Sequence, residues 1–381
     1  MEYISRKLDI NKVLEHKSCF LFAPRQCGKS SLIRHTCEDV HIFDLLSAST
    51  FLRLSRNPEY IGETCTDGKP VVIDEIQKLP MLLDEVHRLI EERGLKFLLT
   101  GSSARKLRKG GVNLLGGRAR TKKLHPFSAS ELGSKFDLDR ALNYGLIPGI
   151  WFSDEPEEDL ADYIDEYLRQ EIIAEGAVRN LPAYSRFLEV AAICSGEQID
   201  YAKISRDAQV ARSTVQEYFR ILKETLLAYE VPVWKVGKGR KTVETSKFYL
   251  FDNGVVAQLS GRRGLKPGTN EYGHAFENWV HHELRAYLDN VRRDGEICYW
   301  RTKGGTEVDF VVGNCAIEVK STANVSGVDL KGLKAIAEES DFRHLIVVSR
   351  EERRREVDGI EVLPWRVFVE ELWGGELRVE S

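Results

Sequence analysis

One stretch near the N-terminus, CFLFAPRQCGKSSLIRHTC at residues 19–37, leaves the chain little choice of architecture. It reads as a buried strand (Cys19–Ala23), a tight loop, and a helix starting near Lys29. The loop fits G-x-x-x-x-G-K-[ST] except that Ala23 stands at the first glycine position. Such a loop surrounds phosphates with backbone N–H groups and a helix N-terminus. Ala23, Pro24, Arg25, Gln26, Cys27, Gly28, Lys29, Ser30 and Ser31 would then hold a nucleotide, with Lys29 on the β- and γ-phosphates and the Ser30 hydroxyl on magnesium. A strand that feeds this loop and runs into a helix calls for a parallel α/β sheet.

The next segments supply the rest of such a site. KPVVIDEIQKL is a continuous apolar strand ending in Asp74-Glu75, where one carboxylate can hold magnesium through water and Glu75 can polarise an attacking water. LKFLLTGSS ends in hydroxyls, of which Ser102 is preferred as the group that orients the water; the alternative is that it caps the next helix. Strands near VHIFDL and TKKLHPF bring the sheet to about five. Two glycines precede Arg118 and Arg120, and an arginine reaching a neighbouring subunit's γ-phosphate is a common way to stabilise phosphoryl transfer; two solvated loop arginines are the alternative.

APRQCGKSSL, VVIDEIQKLP, LLTGSS and GGRAR together resemble a family of small prokaryotic AAA-type ATPases whose C-terminal domain has long lacked an assigned function. The resemblance extends over nearly the whole chain. It implies ATP and Mg2+ as cofactors, an ATPase site of Lys29, Ser30, Asp74 and Glu75, Arg118 as the finger, and a ring-like homo-oligomer, read as a hexamer.

At 381 residues the chain has room for several domains, and we expect four segments: 1–130 an AAA-type P-loop ATPase domain with a parallel sheet, 131–196 a helical connector, 197–262 a winged helix, and 268–381 a mixed α/β domain. No apolar run is long enough to cross a bilayer and no signal-peptide core opens the sequence. Seven scattered cysteines without a Cys-x-x-Cys pair point to reduced thiols in a cytoplasm. The net charge of −4 gives no global nucleic-acid signal, so a DNA surface has to be local.

Residues 197–250 supply a local one. DYAKISRDAQVARSTVQEYFRILKETLLAYE reads as helix, turn near Val210-Ala211, and a helix with an apolar stripe of Val215, Phe219, Leu222 and Leu226. Two strands around a basic tip follow, the pattern of a helix-turn-helix with a wing. Between residues 200 and 247 there are ten Lys/Arg against six Asp/Glu. Arg212, Lys235, Lys238, Arg240 and Lys241 are the expected phosphate contacts. A solvated loop is the bland alternative.

TEVDFVVGNCAIEVKS at 306–321 reads as a hairpin about Gly313-Asn314, in which facing residues sum to 627. Asp309 then faces Glu318, and Glu307 faces Lys320 as an ion pair. Strict alternation sets these four on one face and Val308, Phe310, Val312, Cys315, Ile317 and Val319 on the other. Opposed carboxylates repel unless a cation lies between them. Upstream, NEYGHAFENWVHHELRAYL forms an amphipathic helix that could lean Glu277 over the hairpin; His274 and His281 either border the site or are exposed or partly satisfied histidines, the preferred reading. A helix glutamate, a strand aspartate and Glu-x-Lys on the next strand resemble the PD-(D/E)XK nuclease core. That resemblance implies metal held by Glu277, Asp309 and Glu318, with Lys320 steadying the reacting groups.

The leading expectation is therefore an ATP-hydrolysing DNA motor with a magnesium-dependent nuclease-like domain, acting on branched DNA such as Holliday junctions. The alternative is an ATP-dependent switch that binds DNA or protein through a nuclease fold that no longer cuts. A nuclease acting on RNA is a third.

Overall fold

The computed structural model describes residues 2–105, 107, 115–168, 180–235, 243–291 and 295–377. Lys238, Arg240 and Lys241 lie outside the described residues. The chain forms two compact units, residues 1–127 with 224–226, and residues 128–223 with 227–381.

The first unit is built on a five-stranded sheet: β1 (Ser18–Phe22), β2 (His41–Asp44), β3 (Val71–Asp74), β4 (Phe97–Gly101) and β5 (Ala119–Lys123). Their order is β2-β3-β4-β1-β5, and every pairing is parallel. The three central strands are buried along their whole length. Alternate residues serve two separate cores: Phe20, Ile73 and Leu99 on one face, Leu21, Val72 and Leu98 on the other. This double coverage is why the central strands read as unbroken apolar runs while the edge strands HIFD and ARTKK do not. Helix α1 (Lys29–Thr36) leaves the β1 loop, and α2 (Leu82–Arg93) stops at Gly94, whose φ of 65° supplies a left-handed cap.

The second unit holds helices α3 (Leu181–Ile193), α4 (Tyr201–Asp207), α5 (Arg212–Glu224), α6 (Asn253–Ser260), α7 (Asn270–Val291), α8 (Lys331–Ile336) and α9 (Trp365–Gly374). It has an antiparallel pair, β6 (Ala228–Val231) with β7 (Lys247–Leu250), and a six-stranded mixed sheet. That sheet comprises β8 (Cys298–Arg301), β9 (Glu307–Val312), β10 (Cys315–Lys320), β11 (His344–Ser349), β12 (Arg355–Val357) and β13 (Ile360–Pro364), in the order β12-β13-β11-β10-β9-β8. Asp200 caps α4 by accepting the N–H groups of Ala202 and Lys203, and α5 buries Val215, Tyr218, Phe219, Ile221 and Leu222. The α5 stripe is shorter than expected: the helix ends at Glu224, and Leu226 takes a φ of 63° beyond it. Past β6 the chain runs along the sheet edge, where Tyr299 donates to Pro232 O (2.9 Å), Trp234 to Tyr299 O (2.7 Å) and Val243 to Arg301 O (3.1 Å). The base of the expected wing is thus attached to β8.

The β9–β10 register follows the sum of 627 at Cys315↔Val312, Ala316↔Val311 and Ile317↔Phe310, about a turn where Gly313 has a φ of 55°. The expected faces need correcting. The β8–β9 pairing shifts between Cys298↔Val311 and Trp300↔Val308, so β9 carries one extra residue at 309–310. A bulge re-aims side chains. Val308 and Val311 consequently share one core cluster with Ala316 and α8, while Phe310 packs near Tyr249 and His281. Among the described residues, no helix is long and apolar enough to cross a membrane, and all seven cysteines are free and buried.

Candidate functional site

In the first unit the loop after β1 has two left-handed residues, Gln26 (φ 56°) and Gly28 (φ 91°). Position 23 is not among them, so Ala23 replaces glycine there without backbone strain. The Lys29 ammonium, on a buried side chain, donates to Ala23 O (3.0 Å), and Arg6 braces the loop through Cys27 O (2.8 Å). Ser30 Oγ donates to Asp74 Oδ2 at 3.3 Å. The two oxygens expected to share magnesium are thus already neighbours, and this hard-oxygen pair beside a lysine fits the ion.

Glu75 follows Asp74 in the left-handed region (φ 60°), an uncommon conformation for this residue type. The Thr100 hydroxyl bonds Asp74 Oδ1 and accepts the Glu75 N–H (3.3 Å). It is therefore Thr100, two residues before Ser102, that ties β4 to the acids. Ser102 is buried nearby, and the Ser103 hydroxyl accepts the Arg105 N–H (3.4 Å). The Gln77 amide donates to Glu75 Oε2. A Cβ at Gly101 would come within 2.3 Å of Gln77 Oε1, so the absence of a side chain there is what lets Gln77 reach Glu75. Burial pushes the Glu75 pKa up, and the neighbouring Lys29 charge works against it. Arg118 leaves a turn of three left-handed residues, Leu115, Gly116 and Gly117, and its guanidinium bonds Glu91 on α2. Arg120 lies within β5 beside Cys19.

In the second unit α7 and the hairpin bring Glu277, Asp309, Glu318 and Lys320 into one cluster. Asp309 Oδ2 accepts the Val319 N–H (2.8 Å), Glu318 Oε1 accepts from Lys320 Nζ (2.5 Å), and Glu277 Oε1 accepts from Tyr249 OH (2.5 Å). The expected Glu307–Lys320 pair does not form. Glu307 is bonded instead by Arg301 (2.7 Å) and Lys247 (2.5 Å). Lys247, tallied in the sequence among the basic residues of 200–247, is buried here and also meets Glu277 (3.2 Å) and Asp309 (3.8 Å). Burial and the facing Glu318 and Glu277 charges push Asp309 well above the usual carboxylate range. Burial raises Glu318 to about 7, and its Oε2 has no hydrogen-bond partner.

Glu277, Glu307, Asp309 and Glu318 stand against Lys247, Arg301 and Lys320, four carboxylates to three cations. As arranged, no three His, Cys, Asp or Glu side chains among the described residues form a ready metal cage, because ammonium groups draw the acids to themselves. The donor set still suits a hard divalent ion: three carboxyl groups and an orphaned buried oxygen on Glu318. An open cleft of about 580 Å³ adjoins the cluster, lined in part by Thr269, His274, Glu277, Lys320, Thr322 and Arg350. His281, read as exposed or partly satisfied with the site border as the alternative, is buried and stacks on Tyr249. Arg212 is exposed at the start of α5, and Lys235 is exposed beyond β6. Arg220 and Lys223 are taken by Glu217 and Glu230.

Comparison with known proteins matches residues 15–133 to a family described as an AAA domain. Residues 135–266 and 272–368 match two domains of unknown function, DUF8612 and DUF4143. The chain is also 22% identical over 345 residues to the uncharacterized protein MJ1544 of Methanocaldococcus jannaschii, covering 81% of this chain and 75% of that one. The AAA match, on a parallel five-stranded sheet with its phosphate loop, supports an AAA-type nucleotide-binding ATPase domain in the first unit.

Proposed function

We propose that the chain is an ATP-hydrolysing DNA-binding motor with a magnesium-dependent nuclease-like second unit, acting on branched DNA such as a Holliday junction. In the first unit Lys29 binds the phosphates, Ser30 and Asp74 hold magnesium, and Glu75 polarises the attacking water under the restraint of Gln77 and Thr100. Bound magnesium supplies charge neutralisation on the phosphate oxygens. Arg118 serves as the finger when a second copy presents its nucleotide, which requires release from Glu91. This ring of subunits rests on the family resemblance.

The nuclease-like reading is carried by one observation: a buried Glu318 with an unpartnered oxygen, beside Asp309 and Lys320. Glu277, Asp309 and Glu318 would hold the metal, whose chemistry is Lewis-acid polarisation of a phosphodiester. Lys320, reaching the open cleft, would meet the charge that develops on the phosphate. The helix-turn-helix with exposed Lys203, Arg206 and Arg212 supports backbone contacts to DNA. Cleavage of duplex and four-way DNA with Mg2+ or Mn2+ tests this, and Asp309→Asn is expected to lower it about 100-fold or more. Cleavage that survives Asp309→Asn removes this cluster as its source, and no cleavage on any DNA removes the nuclease activity.

The second reading, an ATP-dependent switch on a non-cutting nuclease fold, is favoured by Lys247, whose ammonium already satisfies two of the acids. It predicts DNA binding that changes with ATP and no cleavage at any metal concentration.

A further inference from the structure

We infer that Lys247 is the built-in cation of the acid cluster, and that a divalent ion must displace its ammonium from Glu277 and Asp309 to enter. The inference rests on the nuclease-like reading above. Lys247 opens β7, a strand of the antiparallel pair outside the six-stranded sheet, yet its Nζ lies 2.5 Å from Glu307, 3.2 Å from Glu277 and 3.8 Å from Asp309. An ammonium is a compact point charge with three donors, so among carboxylates it fills the role of a small cation. The two lysines of the cluster differ in what they can reach. Lys320 bonds Glu318 and lines the open cleft, whereas Lys247 is 4% exposed and does not line it. Lys247 is thus placed against the acids and away from the cleft where a phosphate would enter.

The neighbouring groups fix it there. Two residues along β7, Tyr249 donates to the same Glu277 oxygen at 2.5 Å, and the Lys247 ammonium lies 5.3 Å from the centre of the Tyr299 ring. Glu277 therefore has one oxygen committed to β7. Glu318, which Lys247 does not contact, is the acid left with an orphaned oxygen. Lys247 neutralises one side of the cluster and leaves the other open, a state in which it competes directly with any entering metal.

Mn2+ binding to the full-length, nucleotide-free protein, followed by electron paramagnetic resonance, tests this, counting only the binding lost in Asp309→Asn. Lys247→Met is expected to tighten that binding at least about tenfold, the change that 1.4 kcal/mol produces. If removing a buried cation prevents folding, Lys247→Gln combined with Glu307→Gln removes one charge of each sign and is expected to tighten binding in the same direction. Asp309-dependent binding that is unchanged or weaker without Lys247 overturns the inference and leaves the metal reading standing. No Asp309-dependent binding in any variant overturns both.

Discussion

At the scale of single residues, the contact between Gln77 and Glu75 gives the sharpest expectation. A methyl group at position 101 meets the far end of the Gln77 side chain, which can move aside but then leaves Glu75. Gly101→Ala should retain ATP binding, cost no more than about 1–3 kcal/mol of stability, and slow ATP hydrolysis. Single-turnover rates at saturating ATP, with nucleotide affinity and thermal melting in parallel, separate these effects. An unaltered hydrolysis rate would show that Gln77 does not position Glu75. That Lys29, Ser30, Asp74 and Glu75 come together was legible in the sequence because a phosphate loop and a strand-end acid pair are local patterns. Thr100 was not, since choosing among Thr100, Ser102 and Ser103 requires the β3–β4 register, in which Ile73 pairs with Leu99 and Asp74 comes beside Thr100. Lys247 was hidden for a different reason: a lysine beside a basic tip reads as solvated until tertiary contacts bury it.

At the scale of elements, the hairpin shows where periodicity carries and where it stops. Its turn and register follow from Gly313-Asn314, whereas the bulge at 309–310 depends on pairing with β8, which a two-strand reading omits. The long helix α7 holds a comparable surprise in Glu283, fully buried and accepting from the Ala129 N–H (2.8 Å) and the Trp373 indole (2.9 Å). Burial raises its pKa from 4.5 to about 7. Because the folded chain then binds this proton more tightly than the unfolded one, its stabilising effect is complete below pH 4.5 and is lost as pH rises through 7. The displacement corresponds to at most about 3 kcal/mol. Melting temperatures of the wild type and Glu283→Gln from pH 5 to 8 should therefore differ in slope, with the wild type falling more steeply. Parallel profiles would mean that Glu283 does not titrate in this range.

At the scale of the whole molecule, an AAA-type ATPase domain shares the chain with a second unit proposed to be a DNA-binding, nuclease-like body. The net charge of −4 restricts any DNA surface to local patches, and burial of Lys247 makes the patch between residues 200 and 247 weaker than its residue count suggests. Binding should accordingly be salt-sensitive. The most direct measurement is the steady-state ATP hydrolysis rate at low salt, with no DNA, linear duplex and four-way DNA, for the wild type and Lys29→Ala. The account predicts stimulation by DNA, strongest with the four-way form, and loss of hydrolysis under every condition in Lys29→Ala. A wild-type rate indifferent to every DNA would contradict it.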